Sequence, residues 1–391
     1  FAMAPQGKRF DWLSDSLSEE HNVNRTDLKN GQVPQEADLL LLASPEKLDE
    51  KQLFAVDQYL MQGGPVVIAS SPFDIESHGA LSARKHESGM QEWLKHHGIE
   101  LQDRMVLDPQ SAAFPIPVER RLAGFVVQET QLVDYPYFTD IRDDGMPQQG
   151  GITAGIDQVT LTWPSPITLN EEKLVNHKVT RLLESSEQSW TSDSMDIQPD
   201  FTTYGELGFS VGKDPGRKLL AVAVEGRFDS FYKGKPSPLA VVEDEKGDTE
   251  GDKESAESAA QAEEAADQEV IGRVIDSSPE SSRIILLASN TFLSDEMLDL
   301  ASAGLGTRYL KPVELVENAV DWSLEDRGLL EIRGRAQFSR TLYPMDRETQ
   351  VFWEYLNYGL ALFGLFLVWF VRGQFRRKAQ QRYASILAQG V

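Results

Sequence analysis

Residues 37–72 read ADLLLLASPEKLDEKQLFAVDQYLMQGGPVVIASSP, and this stretch decides the fold. Two unbroken apolar runs, 37–43 and 65–70, flank a segment with helical spacing. Unbroken runs of that length suit strands buried on both faces, as in parallel α/β sheets. Between them, Asp49 followed three residues later by Gln52 forms a capping-box start. Leu53, Val56 and Leu60 recur on one helical face, and Gly63-Gly64 ends the helix. The stretch therefore predicts a β-α-β unit with a right-handed crossover.

The same kind of run recurs at 219–224 (LLAVAV) and 284–289 (IILLAS). The pattern predicts helices over 11–21, 90–97, 293–301 and 313–323. It predicts strands over 22–28, 103–107 and 176–185. Residues 111–190 are rich in Pro, Gly, Gln and Thr, with β-favouring stretches at 124–127 and 158–163. They read as irregular β structure beside the sheet. The expected organisation is an α/β part over 1–110, a β-rich part over 111–205 and a second α/β part over 206–345. The segment 243–269 is low-complexity and acidic. It lacks the apolar surface needed to offset chain entropy, so it is expected to be a disordered insertion.

Residues 355–371, YLNYGLALFGLFLVWFV, carry no charge, and Arg372, Arg376, Arg377, Lys378 and Arg382 follow. The reading is one transmembrane helix over 351–371, anchored at the interface by Trp353, Tyr355 and Trp369. A basic cytoplasmic tail over 372–391 would follow, the large domain lying periplasmic on a bacterial inner membrane. All 62 acids and 33 of the 38 bases precede Arg372, so that domain carries 33 − 62 = −29. Such a balance argues against nucleic-acid binding, which needs clustered Lys and Arg. The first ten residues hold no signal-peptide pattern, which suggests a segment upstream of the sequence given. With no cysteine, disulfides, thiol catalysis and Cys-ligated metals are excluded.

Motifs for chemistry are sparse. Neither a phosphate-binding P-loop nor G-x-S-x-G nor H-E-x-x-H occurs. The glycine-rich stretch 145–155 lacks a strand before it and a helix after it, and reads as a loop. His86, His96 and His97 lie close in sequence, but neighbouring helical positions do not share a face, so no metal site is expected. Ser70 and Ser71 follow a buried strand at the carboxyl edge, where open α/β sheets place ligands, and Asn290 follows the strand near 285. These three are the candidate ligand or partner edge. A serine nucleophile there would need a base within hydrogen-bond reach.

Several segments together resemble one family. Residues 37–72 are similar to its strand, capped helix, double glycine and second strand, and 90–109 (MQEWLKHHGIELQDRMVLDP) to its following helix and Val-Leu-Asp-Pro stretch. Residues 182–190 (LLESSEQSW) and 318–333 (NAVDWSLEDRGLLEIR) resemble its later segments, in the same order. The family is the auxiliary, GldG-like extracytoplasmic component of gliding-motility-type ABC transporters. The resemblance implies a Rossmann-like, glutamine-amidotransferase-like α/β fold with a largely parallel sheet and no cofactor. It also implies a non-catalytic accessory role beside an ABC-2-type permease and a separate cytoplasmic ABC ATPase. Two departures stand out: Ser71-Pro72 replaces an Asp-Pro turn, and Ser289-Asn290 replaces a Gly-Asp pair. The alternatives are a membrane-anchored envelope hydrolase using Ser70 or Ser71, and a scaffold binding cell-wall glycan or a partner protein.

Overall fold

The computed structural model describes residues 8–76, 81–122, 125–147, 151–239, 274–305, 308–324, 352–367, 369–370 and 372. Along the chain run α1 (Asp11–Glu20), β1 (Leu40–Ala43), α2 (Glu50–Met61), β2 (Val66–Ala69), β3 (Phe73–Glu76) and β4 (Ser82–Lys85). Then come α3 (Gln91–His96), β5 (Ile99–Leu101), β6 (Met105–Leu107), β7 (Ser111–Leu122), β8 (Phe125–Arg142), β9 (Gln158–Thr162) and β10 (Ile167–Leu169). The remainder is β11 (Lys178–Glu184), β12 (Trp190–Ser192), α4 (Phe201–Tyr204), β13 (Leu219–Glu225), β14 (Arg283–Leu287), α5 (Asp295–Leu305) and α6 (Lys311–Leu324). Residues 22–28, read as a weak strand, are irregular.

The β1-α2-β2 unit forms as its pattern dictates. Asp49 accepts from the Gln52 amide while the Gln52 side chain accepts from the Asp49 amide, so two otherwise unpaired donors of α2 are satisfied. Gly63 takes φ +99°, open to glycine alone at no cost, and a Cβ on Gly64 would collide with the Tyr59 ring. β1 and β2 pair in parallel, Leu40 opposite Val66. β2 then pairs in parallel with β14, Val66 opposite Ile284.

Beyond β14 the sheet departs from expectation. Its order is β1-β2-β14-β13-β11, and both β13 and β11 run antiparallel to their neighbours. The described residues also form three two-stranded sheets and one three-stranded sheet, β7-β8-β9, all antiparallel. The largely parallel, Rossmann-like architecture is thus corrected to a mixed α/β fold with several small sheets. The cause is simple: an unbroken apolar run reports burial on both faces and says nothing about strand direction.

That two-sided burial is observed. In β2 and β14, Val66, Ile68, Ile284 and Leu286 point to one face, where they meet Leu53, Val56 and Leu60 of α2 and Trp93 of α3. Their alternates Val67, Ala69, Ile285 and Leu287 point to the other, against Leu13 and Leu17 of α1 and Val313, Val316 and Val320 of α6. Each fully buried aliphatic side chain contributes about 1.5–3 kcal/mol, so the layers are held mainly by this interdigitation. A third cluster is aromatic, joining Tyr135, Tyr137 and Phe138 of β8 to Trp163, Trp190 and Phe209.

The chain divides into two compact units, Phe1–Phe338 and Ser339–Val391. In the second, residues 352–367 are helical and carry exposed apolar side chains. Among the described residues no helix is long and apolar enough to cross a membrane. This overturns the expected transmembrane helix and, with it, the inner-membrane localisation that rested on it. Trp353, Tyr355, Trp369 and Arg372 are exposed helical residues. Arg376 and Arg377, the rest of the tail and the acidic insertion 243–269 lie outside the described residues.

Candidate functional site

The structure brings Ser70, Ser71 and Asn290 together at the carboxyl ends of β2 and β14, and buries all three. The Ser71 amide donates to Asn290 Oδ1 at 3.1 Å, and Asn290 Nδ2 donates to the carbonyls of Ser71 (2.6 Å) and Phe73 (2.7 Å). The Ser71 hydroxyl lies 3.0 Å from that of Ser165 and accepts from the Phe73 amide. Ser165 itself donates its amide to the Ala288 carbonyl. Ser289 Oγ donates to the Thr162 carbonyl at 2.6 Å. The sheet edge where a ligand would sit is therefore filled by the protein's own polar side chains. Neither described partner of the Ser71 hydroxyl is a base, and the Ser70 hydroxyl has no hydrogen-bond partner among the described residues.

Beside this plug, the end of β1 carries an ion-paired cluster. Ser44, at φ +51°, donates its amide to Ala69 and accepts a hydrogen bond from Lys8 Nζ at 2.9 Å. Lys8 also pairs with Asp74 at 2.5 Å, and Arg84 reaches the other Asp74 oxygen at 2.6 Å. Burial raises the Asp74 carboxyl, but the two cations outweigh it and hold the group below its ordinary range. Burial depresses the Lys8 ammonium, against the pull of Asp74. Lys8 donates to Ser44 while paired with Asp74, and an ammonium has no lone pair with which to take the Ser44 proton.

A polar cavity of about 350 Å³ lies elsewhere, lined in part by Gln110, Arg142, Asp144, Glu184, Ser186 and Arg217. Its wall is set by Asp108, which accepts from the Ser186 amide at 2.7 Å and from its hydroxyl at 2.6 Å. Behind Arg142 sits the buried Asp140, whose carboxyl burial pushes up to about 6 although Arg142 pulls it down. One Asp140 oxygen has no hydrogen-bond partner among the described residues. Sequence reading missed this cavity. The one available signal was that 108–109 and 182–190 both lie in segments quoted for the resemblance.

His86, His96 and His97 make the following contacts. His86 donates to the Pro45 carbonyl at 2.8 Å. The rings of His96 and His97 meet edge to face at 5.0 Å. His97 is buried, which drives its pKa well below the ordinary histidine value, and its Nε2 lies 4.0 Å from Asp57. Asp57 in turn accepts from Trp93 Nε1, the Ser230 hydroxyl and the Phe231 amide, tying α2 to α3 and to the loop after β13.

The chain is thus a mixed α/β domain whose main-sheet edge is filled by its own polar side chains. The family profile described as "ABC-type uncharacterized transport system" matches residues 5–319, most of the chain. The chain belongs to this family of auxiliary components of ABC-type transport systems. No curated protein matches it. A solved structure described as "mmIFT52 N-terminal domain" aligns with 81% of this chain and 91% of its own, at 10% identity and a TM-score of 0.40.

Proposed function

We propose that the chain is a non-catalytic subunit of an ABC-2-type export system, acting on the substrate side through contacts with the permease. ATP hydrolysis belongs to a separate cytoplasmic ATPase. Membership of the auxiliary family supports the transport role. The observation that carries the non-catalytic reading is the plug: Ser70, Ser71 and Asn290 are each no more than 3% exposed, and Ser71 and Asn290 are spent on each other. The same burial weighs against a hydrolase built on Ser70 or Ser71. A scaffold binding glycan outside any transporter has only the polar cavity in its favour.

Affinity purification of the full chain from its native host tests the reading. Recovery of an ABC ATPase and a permease in stoichiometric amounts is expected. A preparation that repeatedly yields neither refutes it.

A further inference from the structure

α1 is tied at its start to α5 and then runs along α6 in the same direction. The N-terminal amides of Asp11 and Trp12 donate to the Asp295 carboxylate at the start of α5. Midway, the Ser16 hydroxyl donates to Glu317. At the end, His21 Nε2 lies 3.1 Å from Asp321 Oδ1. Two helix C-termini therefore meet at one place. Glu20 closes α1 and Asp321 stands in the last turn of α6, with no basic residue in the last turn of either helix. A carboxylate at a helix C-terminus opposes the macrodipole, which there favours a cation.

Glu20, His21 and Asp321 each offer a ligand atom, and these atoms all lie within 4.8 Å of one another. Ligands about 2.0–2.1 Å from a tetrahedral zinc ion sit roughly 3.3 Å apart, close to the His21–Asp321 separation. We propose that Glu20, His21 and Asp321 form a binding site for a borderline divalent cation, zinc above all, that clamps α1 to α6. One imidazole and two carboxylates suit zinc, whereas magnesium prefers an all-oxygen, water-rich octahedron. A fourth position is left to water, and Glu20 and His21 are open enough for the ion to enter. The sequence could not show this site, because its two halves are 300 residues apart.

The test uses the full chain, stripped with chelator and titrated separately with zinc chloride and magnesium chloride by calorimetry. One zinc per chain is expected, with magnesium at least a hundredfold weaker. His21→Ala should abolish zinc binding, and Asp321→Asn, which keeps a hydrogen-bonding partner for His21, should weaken it at least tenfold. Cobalt(II) supplies a second readout, since a tetrahedral site gives strong visible absorption that both variants lose. The thermal midpoint of the metal-free variants establishes that each is folded. Absence of zinc binding to the wild-type chain overturns the proposal and leaves a plain His21–Asp321 ion pair. So does binding that survives both substitutions.

Discussion

Asn290→Asp replaces one side chain by another of the same shape and reverses one set of its interactions. The introduced oxygen would face the Ser71 and Phe73 carbonyls that Asn290 Nδ2 now approaches at 2.6 and 2.7 Å. The acceptor for the Ser71 amide is retained. Each buried carbonyl stripped of its donor costs about 1–3 kcal/mol, so the expected loss at pH 7 is about 4 kcal/mol. A protonated acid could donate again, so the folded state raises the pKa of the new group. The penalty is then full above that raised value and shrinks, as the pH falls below about 3.9, to that of the one carbonyl a single O–H cannot serve. Urea unfolding followed by the fluorescence of the buried Trp163 and Trp190 measures it, wild type against variant, from pH 7 to pH 4. Equal stability at pH 7, or a penalty that ignores pH, would refute the view that this amide closes the sheet edge.

Three further outcomes follow from the same geometry. The Asp140 carboxyl is pushed up to about 6 from 3.8, so its ionisation opposes folding as the pH rises between those values. Relative to wild type, Asp140→Asn should gain up to about 3 kcal/mol between pH 4 and pH 7, read by the same urea titration. The Asp74 carboxyl is held low by Lys8 and Arg84, so its stabilising effect is complete above the unfolded value and fades as the pH falls through the folded one. The advantage of wild type over Asp74→Asn should be flat above about pH 4 and shrink below it in acid-unfolding curves. Gly64→Ala should cost about 1–3 kcal/mol, because its methyl group meets the Tyr59 ring, and the double variant with Tyr59→Leu should recover part of the loss.

The β1-α2-β2 unit was legible because its signals are local: a cap, a helical face and a double glycine within 36 residues. Strand direction was not, since β13 shows the same unbroken apolar pattern as β2 yet pairs antiparallel with β14. Ser70, Ser71 and Asn290 were found because they follow strands, but a sequence cannot show that Asn290 turns back onto Ser71 across 219 residues. The Lys8–Asp74–Arg84 cluster and the polar cavity went unread for the same reason. Their members come from separate segments that carry no spacing rule. At the other extreme, the uncharged run 355–371 gave a strong local signal, yet among the described residues no helix is long and apolar enough to cross a membrane.

β14 lies in the middle of the five-stranded sheet, yet it is the last of the five to be synthesised. Until residue 287 has left the ribosome, β2 and β13 each present a bare, apolar hydrogen-bonding edge. Sheet closure is thus a late, non-local event in the life of a nascent chain, and β2 waits through the synthesis of more than 200 residues with one apolar edge unzipped. Chains that stop before β14 should therefore be among its most aggregation-prone forms.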